Sequence, residues 1–205
     1  MEQEFSVPLY LYLALGNRKV GRVWTFSLPS FVTCPGASTW CRQHCYARRF
    51  EQLRPNCRQA YVRNLALSLE PERFAAHVLG SLPEDAPQVR IHVGGDYYSR
   101  EYIDSWLRIC QARPEAQFWS YTRSWSVTAL QPNLVRLQAL PNLQLFASSD
   151  PDMPPPPEGW RAAFVECDPR ASGMPCKYQQ GQVHSCLECG YCFRERAGNV
   201  VFKVH

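Results

Sequence analysis

Seven of the ten cysteines in this chain fall into two short groups, a pattern typical of metal ligands. The first group lies in "TCPGASTWCRQHCYARRF" and consists of Cys34, Cys41 and Cys45. Thiolates suit zinc and iron–sulfur clusters better than they suit harder metals. Cys41 and Cys45 are four residues apart, so on a predicted helix over about 39–69 they share one face. Buried free cysteines are the alternative, which a Pro-Gly loop makes less favoured.

The second group lies in "PCKYQQGQVHSCLECGYC" and supplies a complete set of four ligands: Cys176, Cys186, Cys189 and Cys192. Gly190 allows the backbone to fold tightly between thiolates. Zinc ribbons use such short steps, and so do the loops that hold iron–sulfur clusters. The spacing alone therefore leaves zinc and iron–sulfur equally open at this group.

The first group has three cysteines, whereas an iron–sulfur cluster usually takes four. The fourth position is therefore open to an outside ligand or filled by another residue of the chain. The candidates for that residue are His44, Cys57 and Cys167. Cys110 has apolar neighbours and is expected in the core.

The composition is that of an ordinary globular protein. The chain has 205 residues, 45% hydrophobic and 20% charged, which predicts a single domain over 1–205 with its own core. A net charge of +4 is too small to argue for nucleic acid by itself. The apolar run "FSVPLYLYLAL" follows Glu2 and Glu4 rather than a basic region, and it is too short to span a membrane. Cysteine clusters without a secretory signal predict a reducing, cytoplasmic location and no membrane contact.

Apolar strands alternate with helical segments along the chain. Strands are predicted at 23–29, 89–95, 117–122, 143–148, 161–167 and 199–205, and further helices at about 71–80, 99–111 and 125–139. Four consecutive prolines in "SSDPDMPPPPEGW" predict an extended surface loop at 148–160.

This alternation predicts an α/β protein built as a partial or complete (β/α) barrel with a parallel sheet. Residues able to do chemistry follow the strands: Cys34, "GGDYYS", "YTRS", "SSD" and "ECD". In such barrels the site lies at the carboxyl ends of the strands. We therefore expect the cysteine-rich loops there, with a metal-binding insertion at about 170–195. The simpler alternative is that these polar residues only begin loops.

Four stretches of the sequence resemble the gene product 88 family of bacteriophage and plasmid proteins. They are "SLPSFVTCPGASTWCRQHCYARR", "RIHVGGDYYSREYIDSW", "FWSYTRS" and the terminal "PC…C..CG.C" followed by "VFKVH". The resemblance runs from about residue 24 to the end. It implies a phage-related protein but no defined activity.

A more distant resemblance is to radical S-adenosylmethionine enzymes, which are partial (β/α) barrels. It implies a 4Fe-4S cluster on Cys34, Cys41 and Cys45, with S-adenosylmethionine on the fourth iron. It also implies that Gly94, Gly95 and Asp96 contact the cofactor's amino group. The cysteine spacing of six and three residues departs from the three and two of those enzymes, which favours a cluster more than it favours cofactor cleavage. The same resemblance favours iron–sulfur over zinc at the second group.

The predicted function is that of an iron–sulfur protein with one or two clusters, expected to be 4Fe-4S, and a redox or radical-SAM-like role. Arg123 joins Asp96 as a polar residue expected at a substrate or cofactor position, beside an unidentified small-molecule or redox partner. Aromatic residues expected to wall the site are Tyr46, Tyr97, Tyr98, Trp119 and Tyr121.

Two alternatives remain open. One is a zinc-stabilised module that binds nucleic acid or protein. Its candidate phosphate contacts are Arg42, Arg48, Arg49, Arg54 and Arg58, although such a row is more often a solvated helix face. The other is a non-catalytic electron carrier or sensor, for which bound clusters would suffice.

Overall fold

A computed structural model describes residues 12–194 and 198–204 of the chain. Residues 5–11 of the apolar run near the start lie outside this range. The strands, in chain order, are β1 (Ala14–Leu15), β2 (Trp24–Phe26), β3 (Gln88–Ile91), β4 (Gln117–Thr122), β5 (Leu143–Ser149), β6 (Arg161–Val165), β7 (Met174–Pro175) and β8 (Val200–Phe202). The helices are α1 (Thr39–Gln43), α2 (Tyr46–Leu53), α3 (Pro55–Ser68), α4 (Pro71–Ser81), α5 (Arg100–Ala112), α6 (Gln131–Gln138) and α7 (Cys186–Cys189).

These eight strands form one sheet in the order β1-β2-β3-β4-β5-β6-β8-β7. Strands β1 and β2 pair antiparallel, while every other neighbouring pair in this order is parallel. The chain therefore returns to the same edge of the sheet after each parallel strand, with helices in most of the crossovers. Loops that follow the strands consequently lie along that one edge.

Helix α5 shows why the sequence folds in this way. Ser99 caps its first turn by accepting a hydrogen bond from the backbone N–H of Tyr102. The apolar face that follows is fully buried, and Trp106 packs edge-on against Phe26 and Phe74 with ring centroids 5.5 Å apart in both cases. This contact joins β2 and α4 to α5 and forms the centre of the main core.

The single helix predicted over 39–69 is wrong, because the structure has three helices there. Arg54 has φ of −133° and ψ of 89°, outside the helical region that a residue before a proline disfavours, and this separates α2 from α3. Cys45 is also extended, and its Sγ accepts a hydrogen bond from the backbone N–H of Arg48 at the start of α2. Cys41 and Cys45 therefore do not share one continuous helix.

The two ends of the strand order come together. The backbone N–H of Cys186 donates to the carbonyl of Lys19, between β1 and β2, over 2.7 Å. A Cβ added at Gly21 in the same turn would lie 3.0 Å from Leu187 of α7. The turn at one end of the sheet thus packs on the short helix that follows β7 at the other end. This contact is compatible with a curved sheet, and the partial or complete barrel itself stays a prediction.

The helices within residues 12–194 and 198–204 lack the length and hydrophobicity that a bilayer-spanning helix requires.

Candidate metal centre

Both cysteine groups line the same cavity, whose volume is about 220 Å³. The cavity lies at the edge of the sheet where the parallel strands end, and its walls come from loops that are far apart in the sequence. The cysteines that line it are Cys34, Cys41, Cys45, Cys176, Cys186, Cys189 and Cys192. The four other predicted site residues also line it: Gly94, Gly95, Asp96 and Arg123. All eleven residues chosen from the sequence are therefore brought to one place.

Two residues of the first cysteine loop, Ser38 and Cys45, cap the N-termini of α1 and α2. Ser38 caps α1 by accepting a hydrogen bond from the backbone N–H of Cys41 over 2.9 Å. Cys45 caps α2 through its bond with the backbone of Arg48. Upstream, the backbone N–H of Ser30 donates to buried Glu51 over 2.9 Å, which ties the start of the loop to α2.

Two aspartates in the loop after β5 accept hydrogen bonds from the start of α1. The hydroxyl of Ser38 donates to buried Asp150 over 2.8 Å, and the backbone N–H of Trp40 donates to Asp152 over 2.8 Å. Arg123, after β4, forms an ion pair with Asp150 at 3.3 Å and donates to Ser148 over 2.9 Å. The predicted role of Arg123 at a substrate position stays a prediction, and in the structure its guanidinium braces α1 through Asp150.

Asp96 is buried, and its carboxylate accepts four hydrogen bonds from the protein. Oδ1 accepts from the backbone N–H of Tyr97 over 2.7 Å and from the hydroxyl of Thr122 over 2.6 Å. Oδ2 accepts from the backbone N–H groups of Arg123 over 2.7 Å and Ser124 over 3.2 Å. Burial raises the pKa of Asp96, and these hydrogen bonds oppose that rise. A carboxylate offers about four lone-pair positions, so this one is already fully engaged.

The glycines before Asp96 allow a close approach within the protein itself. A Cβ at Gly95, where φ is +81°, would lie 2.5 Å from the Cβ of Leu28 and 2.7 Å from the hydroxyl of Thr33. A Cβ at Gly94 would lie 3.3 Å from the carbonyl of Leu28. The Gly-Gly pair thus packs on the segment that leads into Cys34, which brings the ends of β2 and β3 together.

The second group is built around the single turn of α7. Ser185 caps this turn, and Gly190 ends it with φ of +67°, a left-handed conformation that favours glycine. The backbone N–H of Cys176 donates to the carbonyl of Val201 over 2.8 Å, which fixes that cysteine against β8. Cys176 and Cys192 pack against the apolar cluster around Phe146.

Comparison with known proteins gives a family but no activity. A family model described as Gene product 88 matches residues 12–165, which is more than half of the chain. The chain belongs to the Gene product 88 family. It is 33% identical over 150 residues to the Gene 88 protein of Mycobacterium phage L5 and 32% identical over 150 residues to that of Mycobacterium phage D29. Each alignment covers 67% of this chain and 61% of the relative, so the chain spans about three-fifths of the length of these relatives.

No solved structure matches the chain. The part matched by the Gene product 88 family includes the first cysteine group and ends before the second, which begins at Cys176. The resemblance to radical S-adenosylmethionine enzymes receives no support from these comparisons.

Burial raises the pKa of several thiols in this Gene product 88 protein. The pKa of Cys34 is raised to about 12 by burial and the charge of Asp96, and burial raises that of Cys192 to about 12. Burial raises the pKa of Cys41 to about 11, although nearby Arg123 acts to lower it. Such thiols are poor free nucleophiles, because the thiolate is the reactive form. A bound metal would displace the proton and remove this penalty.

Within the described residues, no three cysteine, histidine or acidic side chains converge as they would around one metal ion. A cluster with several irons is wider than a single ion, and each thiolate binds a different iron. The thiols are suitable ligands for either kind of centre, and the iron–sulfur cluster stays a prediction.

One of the three candidates for a fourth ligand lies at the cavity. His44 lines it, stacks on Trp40 with ring centroids 4.2 Å apart, and places Nδ1 2.9 Å from the carbonyl of Trp40. Nδ1 then carries the proton and Nε2 is the atom able to bind a metal. Cys57 and Cys167 are not among the described residues that line the cavity, and Cys167 is exposed. Cys110 is buried in the core, as expected.

Three of the five predicted aromatic residues line the cavity: Tyr46, Trp119 and Tyr121. The expectation for the other two is wrong. Tyr97 is fully buried in the main core. Tyr98 stacks on Tyr102 with centroids 4.9 Å apart, and its hydroxyl is 2.8 Å from that of Ser68.

Sequence reasoning missed the cations between the two groups. Arg90 in β3 lines the cavity, donates to the hydroxyl of Tyr46 over 3.2 Å and lies over the ring of Tyr121 at 5.6 Å. Its charge and that of Lys19 act to lower the pKa of Cys186, although burial raises it overall. An arginine between two buried apolar residues of a strand, in "VRI", is the signal that could have identified Arg90.

Proposed function

We propose that this protein binds iron–sulfur clusters in the cavity shared by its two cysteine groups and uses them in a redox role. The observation that carries the proposal is that seven cysteines, drawn from a stretch of the sequence that runs from Cys34 to Cys192, line one cavity. Cysteine thiolates are the ligands that such clusters use. Structural thiols without a metal role have no reason to be collected from both halves of the chain.

The residues around the thiols suit a negatively charged centre. Lys19, Arg90 and Arg123 line the cavity, whereas Asp96, the one acidic residue in its described lining, is engaged by four donors. Trp119, Tyr121 and Phe202 also line the cavity, and their rings would limit the access of water to a bound cluster. Exclusion of water and nearby charge are two of the means by which proteins set the reduction potential of a cluster. An iron–sulfur cluster supplies one-electron transfer when bound, and the cavity supplies the environment.

The contacts of the Gly-Gly-Asp segment favour this redox role over cofactor cleavage. The two glycines pack on Leu28 and Thr33, and the four bonds to Asp96 leave its carboxylate little capacity for a ligand's ammonium group. Binding of S-adenosylmethionine stays a prediction. It would show as a change in the electron paramagnetic resonance of the reduced protein, weakened in Asp96→Ala.

Zinc at the second group is the competing assignment. Its supporting observation is α7, where two cysteines in one turn are followed by a left-handed glycine, a geometry that zinc sites with short steps also use. A zinc site there would stabilise the fold and carry no electrons.

Anaerobic purification followed by measurement of iron, sulfide, zinc and the visible spectrum separates these possibilities. We expect brown protein with both iron and sulfide bound. Colourless protein with stoichiometric zinc and no sulfide would end the iron–sulfur proposal.

The variant Cys45→Ser tests the first group in particular. Serine keeps the cap of α2, because its hydroxyl accepts the hydrogen bond that Arg48 now gives to Cys45. Only the thiolate is removed, so the iron content should fall while the helix content stays unchanged. Cys57→Ser is the matched control, because Cys57 lies in the same segment but is absent from the described cavity lining.

A further inference from the structure

The positive charge of the chain is concentrated in one segment. Residues 29–69 contain six arginines, no lysine and one acidic residue, a net charge of +5. The rest of the chain has 16 basic and 17 acidic residues, a net charge of −1, which together give the +4 of the whole. We refer to Arg42, Arg48, Arg49, Arg54, Arg58 and Arg63 as the arginine segment. It covers α1, α2 and α3.

The single acidic residue of this segment does not neutralise it. Glu51 is 2% exposed and accepts the hydrogen bond from the backbone of Ser30. Five of the six arginines are exposed, and only Arg48 is half-buried. None of the six takes part in an ion pair among the described residues. By contrast, the exposed arginines Arg73, Arg108 and Arg136 on α4, α5 and α6 all pair with acidic side chains.

A surface groove crosses this segment between α2 and α3. Arg58 and Arg63 line it together with the amide side chains of Gln52 and Gln59. Glu51 also lines the groove, but its carboxylate is 2% exposed and already accepts from the backbone of Ser30. The exposed arginine and amide groups are hydrogen-bond donors, so the groove suits a ligand rich in acceptor oxygens. Arg58 and Arg63 lie five residues apart on α3, roughly 7.5 Å along the helix axis, and the other four arginines lie on or beside α1 and α2, so the charge is spread more widely than one small anion would contact.

The residue types favour phosphates of a nucleic acid over a membrane surface. All six cations are arginine, whose planar fork binds phosphate oxygens in pairs. Two guanidinium groups lie over neighbouring aromatic rings, Arg54 at 4.5 Å from the ring of Phe50 and Arg42 at 5.3 Å from that of Phe31. Phe50 is nevertheless 44% exposed and Leu53 73% exposed, so the vesicle measurement in the test is what distinguishes a nucleic acid from a lipid surface.

We propose that the arginine segment binds the sugar–phosphate backbone of a nucleic acid. The proposal does not rest on the metal content of the cavity. It has one spatial consequence, because Arg42 follows Cys41 directly and the backbone N–H of Arg48 donates to Cys45. A bound strand would thus lie beside the loop of the first cysteine group.

The test measures fluorescence anisotropy of a labelled mixed-sequence oligonucleotide, single-stranded and as a duplex, with the full-length protein prepared anaerobically. The association constant should fall as the salt concentration rises. For duplex DNA, a plot of its logarithm against the logarithm of the salt concentration should have a slope of about −0.9 for each phosphate that the protein neutralises. The triple variant Arg49→Gln, Arg58→Gln, Arg63→Gln should bind about tenfold or more weakly near 100 mM salt. Its slope should become shallower by about 0.9 for each phosphate that the variant no longer neutralises.

The matched control is Arg73→Gln, Arg108→Gln, Arg136→Gln, which changes the net charge by the same three units on other helices. Its affinity should stay within about twofold of the wild type, since each of these arginines already has a carboxylate partner. Replacing Arg49, Arg58 and Arg63 by lysine should retain most of the binding. This variant keeps the proposal falsifiable if the glutamine triple fails to fold, as judged by circular dichroism.

Three results would overturn the proposal. They are an absence of oligonucleotide binding by the wild type, equal weakening in the two glutamine triples, and binding to vesicles containing phosphatidylserine without binding to either oligonucleotide. Iron measured on the same preparations keeps this test separate from that of the cysteine site.

Discussion

Gly36 lies directly against the carbonyl group of Arg123. A Cβ at Gly36 would be 2.1 Å from that carbonyl oxygen and 2.9 Å from the backbone N of Ser124. The Pro-Gly turn after Cys34 therefore rests on the backbone that follows β4. The same backbone donates two hydrogen bonds to Asp96, so the loops after β2, β3 and β4 form one packed unit.

The variant Gly36→Ala should push the loop of the first cysteine group away from the backbone of Arg123 and Ser124. The methyl group would overlap backbone atoms, which cannot move aside as a flexible side chain can, so we expect a loss of about 1–3 kcal/mol in the free energy of unfolding. Iron bound at the first group should fall as well. Gly80→Ala is the control, because no described atom lies within 4 Å of a Cβ there and Gly80 is inside α4, where alanine should stabilise by about 0.5–1 kcal/mol. Equal stability of the two variants in urea unfolding would contradict this packing.

Asp96→Asn should reveal how much the four hydrogen bonds to this carboxylate contribute. The NH₂ group of asparagine would replace one carboxylate oxygen and would face N–H or O–H groups that are themselves donors. Those buried groups would then lose their hydrogen-bond acceptor. We expect the free energy of unfolding to fall by about 3 kcal/mol. Asp104→Asn, which alters an exposed ion pair with Arg136, should cost at most about 1 kcal/mol. A small effect at Asp96 would show that its role is not structural and would strengthen the case for a bound ammonium group.

The sequence identified the residues that the structure brings together in the candidate site, because their chemistry is local. The cysteine steps, the segment around Asp96 and the apolar strands are all short-range patterns. The structure places the seven clustered cysteines, Gly94, Gly95, Asp96 and Arg123 on one cavity, whereas Tyr97, Tyr98, Cys57 and Cys167 are not in its described lining. The β4 strand is found at the predicted residues, 117–122. Such short-range patterns can be read from the sequence because the spacing of apolar residues indicates whether a segment forms a helix or a strand.

The relationship between the two groups could not be predicted in this way. At about 4.8 Å per strand, β2 and β8 would be about 24 Å apart in a flat sheet, since five pairings separate them. The cysteines beside them share a cavity because the turn at Lys19 meets α7, a contact between residues 167 positions apart that leaves no local pattern. Arg90 was missed for a similar reason, since its role depends on which side of the sheet faces the thiols.

His92 should make the stability of the protein depend on pH. Burial, and then the charge of Arg90, lower the pKa of His92 to about 3, and its Nδ1 has no hydrogen-bond partner within the described part of the chain. The unfolded chain has the ordinary histidine pKa of about 6.5 and binds a proton that the folded state excludes. The stabilisation is therefore fully present above about pH 6.5 and is lost as the pH falls towards 3, by up to about 1.4 kcal/mol per pH unit.

Urea unfolding of wild type and His92→Gln at several values between about pH 7 and pH 5 measures this effect. The wild type should lose about 2 kcal/mol more than the variant over that range. His77→Gln retains His92 and should follow the wild type. An identical pH dependence in wild type and His92→Gln would mean that folding does not shift the pKa of His92.

Cys189→Ser should show whether the second group holds a metal. Cys189 is the best position for this test, because Cys176 and Cys192 also pack in an apolar cluster and their replacement would disturb the core directly. If the metal links α7 to the ends of β7 and β8, its binding energy contributes to folding. A loss of about 2 kcal/mol would lower the melting temperature by roughly 4–8 °C in a chain of this size. The variant should also carry less metal per protein, whereas Cys167→Ser, at an exposed cysteine outside the described cavity lining, should change neither quantity. Unchanged melting temperature and unchanged metal content in Cys189→Ser would remove the second group from the metal centre and leave only the first.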